Sequence, residues 1–266
     1  MAGLTGKTIS TSYKSLLRVD DDSSGVGTAS SDVTDGEGTK TCLRLWDDGL
    51  KVVPQNHDIS GVFSVANKAG TNMLVVSTTD SVVKVNAGQE IANTQYAYFG
   101  VNYADVSSFA ANKHYPISFM AANGGASLTN DVDFGTGTDP DTTFTTADTD
   151  SQYASQLVPM MWYVPDNISI DSVTSIEGAD AATGDTTRMH LMSFTFNSGS
   201  TSALTSGSVL AYNSEVTNAG NEQAYKSTWT VDSASVTAGK VILAFFRSDS
   251  VNSDFSLNIT VKYHLV

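Results

Sequence analysis

The residue types that most often carry chemistry are few and widely spaced in this chain. Four histidines occur, His57, His114, His190 and His264, and no two are close enough in sequence to predict a shared metal site. His190 and His264 both fall in apolar segments of the C-terminal half, so only strand pairing can decide whether they are neighbours. A hydrogen-bonded structural histidine is therefore the interpretation we favour at each position.

Motifs for nucleophilic catalysis and phosphate binding are missing from the sequence. It contains no G-x-S-x-G, no H-E-x-x-H, no Walker loop and no G-x-G-x-x-G. The single cysteine, Cys42, can form neither an internal disulfide nor a thiolate metal site, and we expect a small, half-buried strand residue there. These observations predict a protein that is not an enzyme and that holds no cofactor.

Carboxylates gather in two places that invite a calcium interpretation. One group, Asp20 to Asp22, precedes a glycine-spaced stretch, and the second lies in a polar segment and comprises Asp139, Asp141, Asp148 and Asp150. Oxygen ligands at alternate positions suit calcium, but neither group matches the twelve-residue calcium loop. Aspartate also forms turns, so a solvated turn is the favoured alternative. A glycosidase would need two facing carboxylates, which the sequence gives no means of pairing.

Aromatic side chains in the C-terminal half offer a second kind of site. A flat exposed ring can stack on a sugar, whereas a buried ring fills a core, and we favour the core. The candidates for glycan contact are Trp162, Tyr163, Tyr212, Tyr225 and Trp229.

Length and charge limit the partners that this chain can have. Its 266 residues suffice for one large all-β domain or two smaller ones. The net charge is −14, from 14 basic and 28 acidic residues, and no Lys/Arg cluster is present. Nucleic acid is therefore not an expected partner. No apolar run approaches the roughly 20 residues that span a bilayer, so membrane insertion is not expected.

The N-terminal segment, residues 1–22, is interpreted as an anchor or leader. Ile9, Tyr13, Leu16 and Leu17 follow the spacing of one helical face, which predicts a short helix. A helix this short is marginal alone and needs a neighbour, which could be a copy of itself. These residues are our candidates for contacts between chains in a trimer, with an irregular arm docked on its own domain as the alternative.

Residues 23–93 show hairpin signals at steady spacing. "TCLRLW", "LKVV", "VFSVAN", "NMLVVS" and "SVVKVN" are separated by glycine and aspartate turns, and Pro54 should end its strand. The pattern predicts a β-meander of roughly five short strands. Such a unit has little core and gains stability by packing on another domain or on identical chains.

Residues 94–266 predict a larger antiparallel β-sandwich of jelly-roll type. Alternation in "MHLMSFTF" places His190, Met192 and Phe194 on one face, and alternation in "FSLNITVKYHL" does the same for Phe255, Leu257, Ile259, Val261 and Tyr263. "VILAFF", apolar on both faces, should be a central strand. Residues 121–156 form a long polar segment. Because structureless loops of that length are uncommon in compact domains, we expect it to wrap a surface of its own domain or of a neighbouring subunit.

An ordered series of segments resembles a known family. "YKSLLRVDDDSSGV", "VTDGEGTKTCLRLWDDGLKV", "FSVANKAGTNMLVVSTTDSVVKV" and "AYFG", within roughly residues 9–100, are similar to the N-terminal half of fibre and spike proteins of tailed bacteriophages, notably marine ones. In that family, a Y-x-x-L-L helix leads into a D-G-x-G turn and a paired-strand unit.

The resemblance implies a virion structural protein, made in the host cytoplasm. It would be a homotrimeric, intertwined fibre or spike on the head or tail. Its partners would be itself, other capsid or tail proteins and a host-surface glycan or receptor. The chain is short for a long tail fibre and shows no repeated shaft, so a compact spike fits better. A capsid decoration protein and a carbohydrate-binding β-sandwich module are the alternatives.

Overall fold

The fold is described from a computed structural model, which covers residues 17–20, 26–87, 90–105, 110–119, 132–147, 152–250 and 254–266. The chain divides into two compact units, Met1–Ala92 and Asn93–Val266. Regular structure is almost entirely antiparallel β, so the predicted all-β class is confirmed. No helix in these ranges has the length and apolar character needed to cross a membrane.

The first unit contains two separate antiparallel sheets rather than one meander. Sheet I has the order β1-β2-β3-β4 and sheet II the order β5-β6-β7-β8. Their strands are β1 (Arg18–Val19), β2 (Ser31–Thr34), β3 (Lys40–Trp46), β4 (Gly49–Val52), β5 (Phe63–Ala66), β6 (Asn72–Ser77), β7 (Val82–Val85) and β8 (Glu90–Ile91). The predicted strands are present, and Cys42 is half-buried in β3 as expected.

The break between the two sheets follows from Pro54. Proline has no N–H to donate to a ladder, and β4 ends at Val52, two residues before it. Residues 53–62 then lead to β5, which pairs with β6 and not with β4. The sequence pattern showed the strands correctly, but it did not show that pairing stops here.

Two tight turns in the first unit share one design. The Asp35 carboxylate accepts hydrogen bonds from the N–H groups of Glu37 and Thr39, at 2.9 and 2.8 Å, and Gly38 between them has φ 86°. In sheet II, Asn67 accepts from Ala69 and Thr71 in the same way, with Gly70 at φ 83°. Glycine takes this left-handed conformation without steric cost, so D-G-E-G-T and N-K-A-G-T encode equivalent turns.

The second unit is a two-layer sandwich. Sheet III has the order β16-β12-β20-β9, with β18 on β12, and sheet IV has the order β10-β19-β13-β14-β17, with β11 on β19 and β15 on β13. The elements are β9 (Thr94–Asp105), β10 (Tyr115–Ile117), α1 (Ala154–Leu157), a 3-10 helix (Val158–Met160), β11 (Trp162–Tyr163), β12 (Ile168–Asp180), β13 (Thr186–Phe196), β14 (Leu204–Tyr212), β15 (Val216–Thr217), β16 (Gln223–Thr228), β17 (Thr230–Val231), β18 (Ser235–Val236), β19 (Lys240–Ser248) and β20 (Asp254–Leu265).

The main strands pair in a nested order. β9 pairs with β20, β10 with β19, β12 with β16 and β13 with β14, so the chain resembles one long hairpin folded over into two sheets. This nesting is the jelly-roll arrangement predicted from the strand spacing. The predicted common face of Phe255, Leu257, Ile259 and Val261 is buried between the sheets, with Tyr263 packed against it.

Sheet IV is buried on both of its faces. Its inner face joins the core between the sheets, and its outer face carries a second cluster that includes Phe194, Leu243 and Phe245. Val132, Phe134 and Phe144, from the segment predicted to wrap a surface, cover this outer face. The wrapping is therefore confirmed on its own unit for the described part of residues 121–156. It also explains why "VILAFF" in β19 is apolar on both sides.

Candidate functional site

Sheet II presents an uncovered apolar face. Cross-strand register places Phe63 opposite Val76 and Val65 opposite Leu74, and it continues to Val83 and Val85 on β7. These six residues, Phe63, Val65, Leu74, Val76, Val83 and Val85, define what we call the apolar face. None of them is buried: Phe63 is 45% exposed and Val65 47%. Of the alternate residues on β6, which point to the other face, Val75 and Ser77 are buried and Met73 is 51% exposed.

The charged residues Lys84 and Glu90 of sheet II lie on its opposite face and at its edge. Lys84 is on the opposite face of β7, where its Nζ lies 2.6 Å from an oxygen of the Asp80 carboxylate. Glu90, opposite Val85, marks the edge at β8. A sheet that is one layer thick must bury its apolar face against another layer, and complete burial of a Val or Phe side chain stabilises by roughly 1.5–3 kcal/mol. The apolar face is therefore suited to association.

A different site lies on the outer face of sheet IV, where polar groups replace the apolar cluster at one end. Arg188 and His190 of β13 share this face with Arg247 of β19, and Arg188 is directly opposite Arg247. The ring of His114, from the segment before β10, is 5.1 Å from that of His190 in an edge-to-face arrangement. The Arg188 guanidinium lies 5.3 Å from the ring centroid of Tyr212. We call Arg188, Arg247, His114 and His190 the Arg–His cluster.

Both histidines of the Arg–His cluster are neutral at pH 7. Burial lowers the pKa of His114 to about 4 and that of His190 to about 3, and the positive charges of Arg188 and Arg247 add to the effect. Asp139 Oδ1 lies 3.3 Å from His190 Nε2 without hydrogen-bond geometry, and because the ring is neutral this contact is not an ion pair. Neutral rings are uncharged hydrogen-bonding groups, each with one N–H.

Hydrogen bonding in the cluster is incomplete. His114 Nε2 lies 3.0 Å from the Gly137 carbonyl oxygen, which requires this nitrogen to carry the proton and to donate. Within the described residues, His190 has no hydrogen-bond partner at either ring nitrogen, and the buried Nε atoms of Arg188 and Arg247 have none. His190 is buried, as expected of a structural histidine, but the expected hydrogen bond is not found for it within the described residues.

The remaining histidines do not join this cluster. His264 is on β20 in sheet III, where its Nδ1 lies 2.8 Å from Asp171 Oδ1, so it is not beside His190 in sheet IV. His57 is exposed in the first unit. Sequence alternation had grouped His190 with Met192 and Phe194, but only cross-strand register showed that two arginines and a second histidine accompany it.

The predicted contact residues for a trimer fall mostly outside the described ranges. Ile9, Tyr13 and Leu16 lie outside them, as does the helix that they predict, and Leu17 is 58% exposed immediately before β1. Among the aspartates, Asp21, Asp22, Asp148 and Asp150 also lie outside. Among the described residues, no three His, Cys, Asp or Glu side chains come together as a metal-ligand set.

The predicted glycan-contact aromatics are not gathered in one place. Trp162 and Trp229 are buried in the core of the sandwich, and Trp229 donates its indole N–H to Ser175 Oγ at 2.9 Å, so the core interpretation is confirmed for both. Tyr225 is half-buried and donates to Asn218 Oδ1. Tyr212 lies beneath Arg188, and Tyr163 is exposed.

Comparison with known proteins adds little to this description. No protein-family model matches the chain, and no curated protein matches it. Among solved structures, a match covers 65% of this chain and 94% of Eiger TNF from S. frugiperda, with 10% sequence identity and a TM-score of 0.30. A TM-score this low carries no argument, so the fold rests on strand pairing and the function on the residues themselves.

Proposed function

We propose that the chain is a virion structural protein of a tailed bacteriophage, a homotrimeric fibre or spike on the head or tail, and not an enzyme. The apolar face of sheet II is the observation that supports assembly into a trimer. The resemblance of the N-terminal half to phage fibre and spike proteins supports the virion part.

A second copy of the chain is the occupant that best fits the apolar face. An apolar surface complements itself, whereas the rest of a chain with net charge −14 repels its copies. Three copies related by a closed threefold axis can each turn the same sheet face inward and complete a shared core. The partners in this arrangement are the chain itself, other capsid or tail proteins and a host-surface receptor.

Solution mass measured by light scattering tests the assembly. We expect a species of three times 28.0 kDa, about 84 kDa, at all concentrations above the micromolar range. Val65→Asp places three buried carboxylates in the shared core and should leave only the monomer. Ser64→Asp, one residue away on the opposite face of the same strand, is the matched control and should keep the trimer.

The outcomes separate the parts of the proposal. A wild-type monomer would overturn the self-assembled fibre or spike and would favour a decoration protein that assembles on a capsid. A trimer that survives Val65→Asp would exclude the apolar face as its interface. Mass spectrometry of purified phage particles tests the virion location, and absence of the chain from the particles would refute it.

A carbohydrate-binding module is a second candidate, favoured by one observation. Tyr96 and Tyr98 of β9 lie on the solvent face of sheet III, 50% and 47% exposed, directly opposite Lys262 and Thr260. Neighbouring exposed rings beside polar side chains suit stacking on a sugar. A glycan array probed with the wild-type chain tests this function, and an array without signal removes it.

A further inference from the structure

The Arg–His cluster places two positively charged side chains on one face of sheet IV. Arg188 and Arg247 are register partners on adjacent strands, so their Cα atoms are about 5 Å apart and their side chains leave the same face. Like charges directly opposite each other destabilise a strand pair. An acidic chain could readily have placed a carboxylate between them, because it has 28 Asp and Glu residues against 14 Lys and Arg.

Within the described ranges, neither Arg188 nor Arg247 forms an ion pair with a carboxylate, although Asp139 lies beside His190 in the same cluster. The ion pairs that arginines form there involve Arg18 with Asp20 and Arg44 with Asp32. Arg247 Nη2 instead donates to the neutral Asn112 side chain at 2.8 Å. Arg188 lies against an aromatic ring, which holds the guanidinium in place without neutralising it.

Hydrogen-bond donors without an acceptor remain on both arginines and on His190. Buried Nε–H groups of both arginines lack acceptors, and an unsatisfied buried donor costs stability. The neutral ring of His190 adds one more N–H without an acceptor, whereas the proton of His114 is already used by Gly137. Asp139 Oδ1 lies 3.3 Å from His190 Nε2, so a carboxylate can approach the His190 ring.

We propose that Arg188, Arg247 and His190 form a binding site for an oxyanion: a carboxylate, phosphate or sulfate group. Guanidinium groups bind such groups through two parallel N–H bonds, and two guanidinium groups on one sheet face hold an anion from two directions. The anion supplies the missing acceptors and removes the repulsion between the arginines. The site lies within one chain, so anion binding does not depend on trimer formation, and each can be refuted without the other.

Thermal unfolding at constant ionic strength tests the site, with sodium sulfate, sodium phosphate or sodium glucuronate exchanged for sodium chloride at pH 7.5. Ligand bound only by the folded state raises Tm in a saturable way. Sulfate and phosphate also raise Tm without binding to a site, so the measured quantity is the difference in Tm rise between the wild type and Arg247→Gln. We expect the apparent affinity to fall about tenfold in Arg188→Gln and in Arg247→Gln.

Matched variants make the test specific. Lys226→Gln removes one positive charge from the solvent face of sheet III and should leave anion binding unchanged. Asp139→Asn removes the competing carboxylate and should tighten anion binding, whereas weaker anion binding would overturn the proposal. Both Arg→Gln variants should fold, because each relieves the repulsion between the arginines.

The choice of anion identifies the source of the ligand. Tighter binding of glucuronate than of sulfate or phosphate supports a carboxylated saccharide, and equal binding supports recognition of the oxyanion alone. Equal Tm responses in the wild type and in both Arg→Gln variants, for all three salts, would overturn the site.

Discussion

The buried histidines predict that acid destabilises the second unit in a way that can be assigned to two residues. In the unfolded chain each histidine takes up a proton near its ordinary pKa of about 6.5, whereas the folded-state pKa values of His114 and His190 are about 4 and about 3. Between these values the unfolded state binds more protons than the folded state. The contribution of the two neutral histidine rings to the free energy of unfolding is therefore full above pH 6.5 and is lost as pH falls.

The size of the effect at pH 5 depends little on how far the folded-state pKa values are lowered. At pH 5 both rings are still largely neutral in the folded state, and the pH is about 1.5 units below the unfolded-state pKa. At about 1.4 kcal/mol per unit, each histidine costs about 2 kcal/mol, and the pair costs about 4 kcal/mol. His190→Gln should remove about half of this loss, and the double variant with His114→Gln nearly all of it.

Urea unfolding at pH 8 and pH 5 measures this loss. Trp162 and Trp229 lie in the core of the second unit, so a Trp46→Phe background leaves fluorescence that reports on that unit. Other titrating groups contribute equally to all variants and cancel in the comparison. If the wild type and the double variant lose the same free energy between the two pH values, the histidines are not buried in neutral form and the reasoning fails.

Two further predictions concern the interior of the sandwich. Glu177 is buried, and desolvation raises its pKa, so its contribution to stability is full below its ordinary pKa and is lost as pH rises. Glu177→Gln should therefore raise the free energy of unfolding at pH 8 by roughly 1–3 kcal/mol, as measured by urea unfolding. A variant no more stable than the wild type would contradict this. A Cβ at Gly207 would lie 2.6 Å from Phe194 Cε1 and 2.7 Å from Thr142 Cα, so Gly207→Ala should lower the free energy of unfolding by roughly 1–3 kcal/mol. Gly220→Ala, which meets only the end of a side chain at 3.9 Å, is its control, and equal effects of the two would refute the steric argument.

Much of the architecture could be predicted because local rules act on neighbouring residues. Alternation placed every second residue from Phe255 to Tyr263 on one face, and the glycine-bearing turns marked the hairpins. "VILAFF" indicated a strand buried on both sides. The even spacing of turns also indicated the sandwich. These signals depend on periods of a few residues, which the sequence displays directly.

What brings distant residues together could not be predicted in this way. Arg188 and Arg247 are separated by 59 positions, and they meet only because β13 and β19 pair in one particular register. His114 reaches His190 because the segment before β10 packs on the outer face of sheet IV. A shift of one residue would turn either arginine to the opposite face.

The sequence by itself determined the all-β class, the strands, the turns and the apolar patterning, because each follows from the shape and polarity of adjacent side chains. Tertiary structure alone decided that the apolar face of sheet II stays partly exposed and that two arginines and two histidines share one face of sheet IV. The physical reason is that strand pairing and sheet packing join residues far apart in sequence, and the free energy of those contacts is invisible in any local pattern.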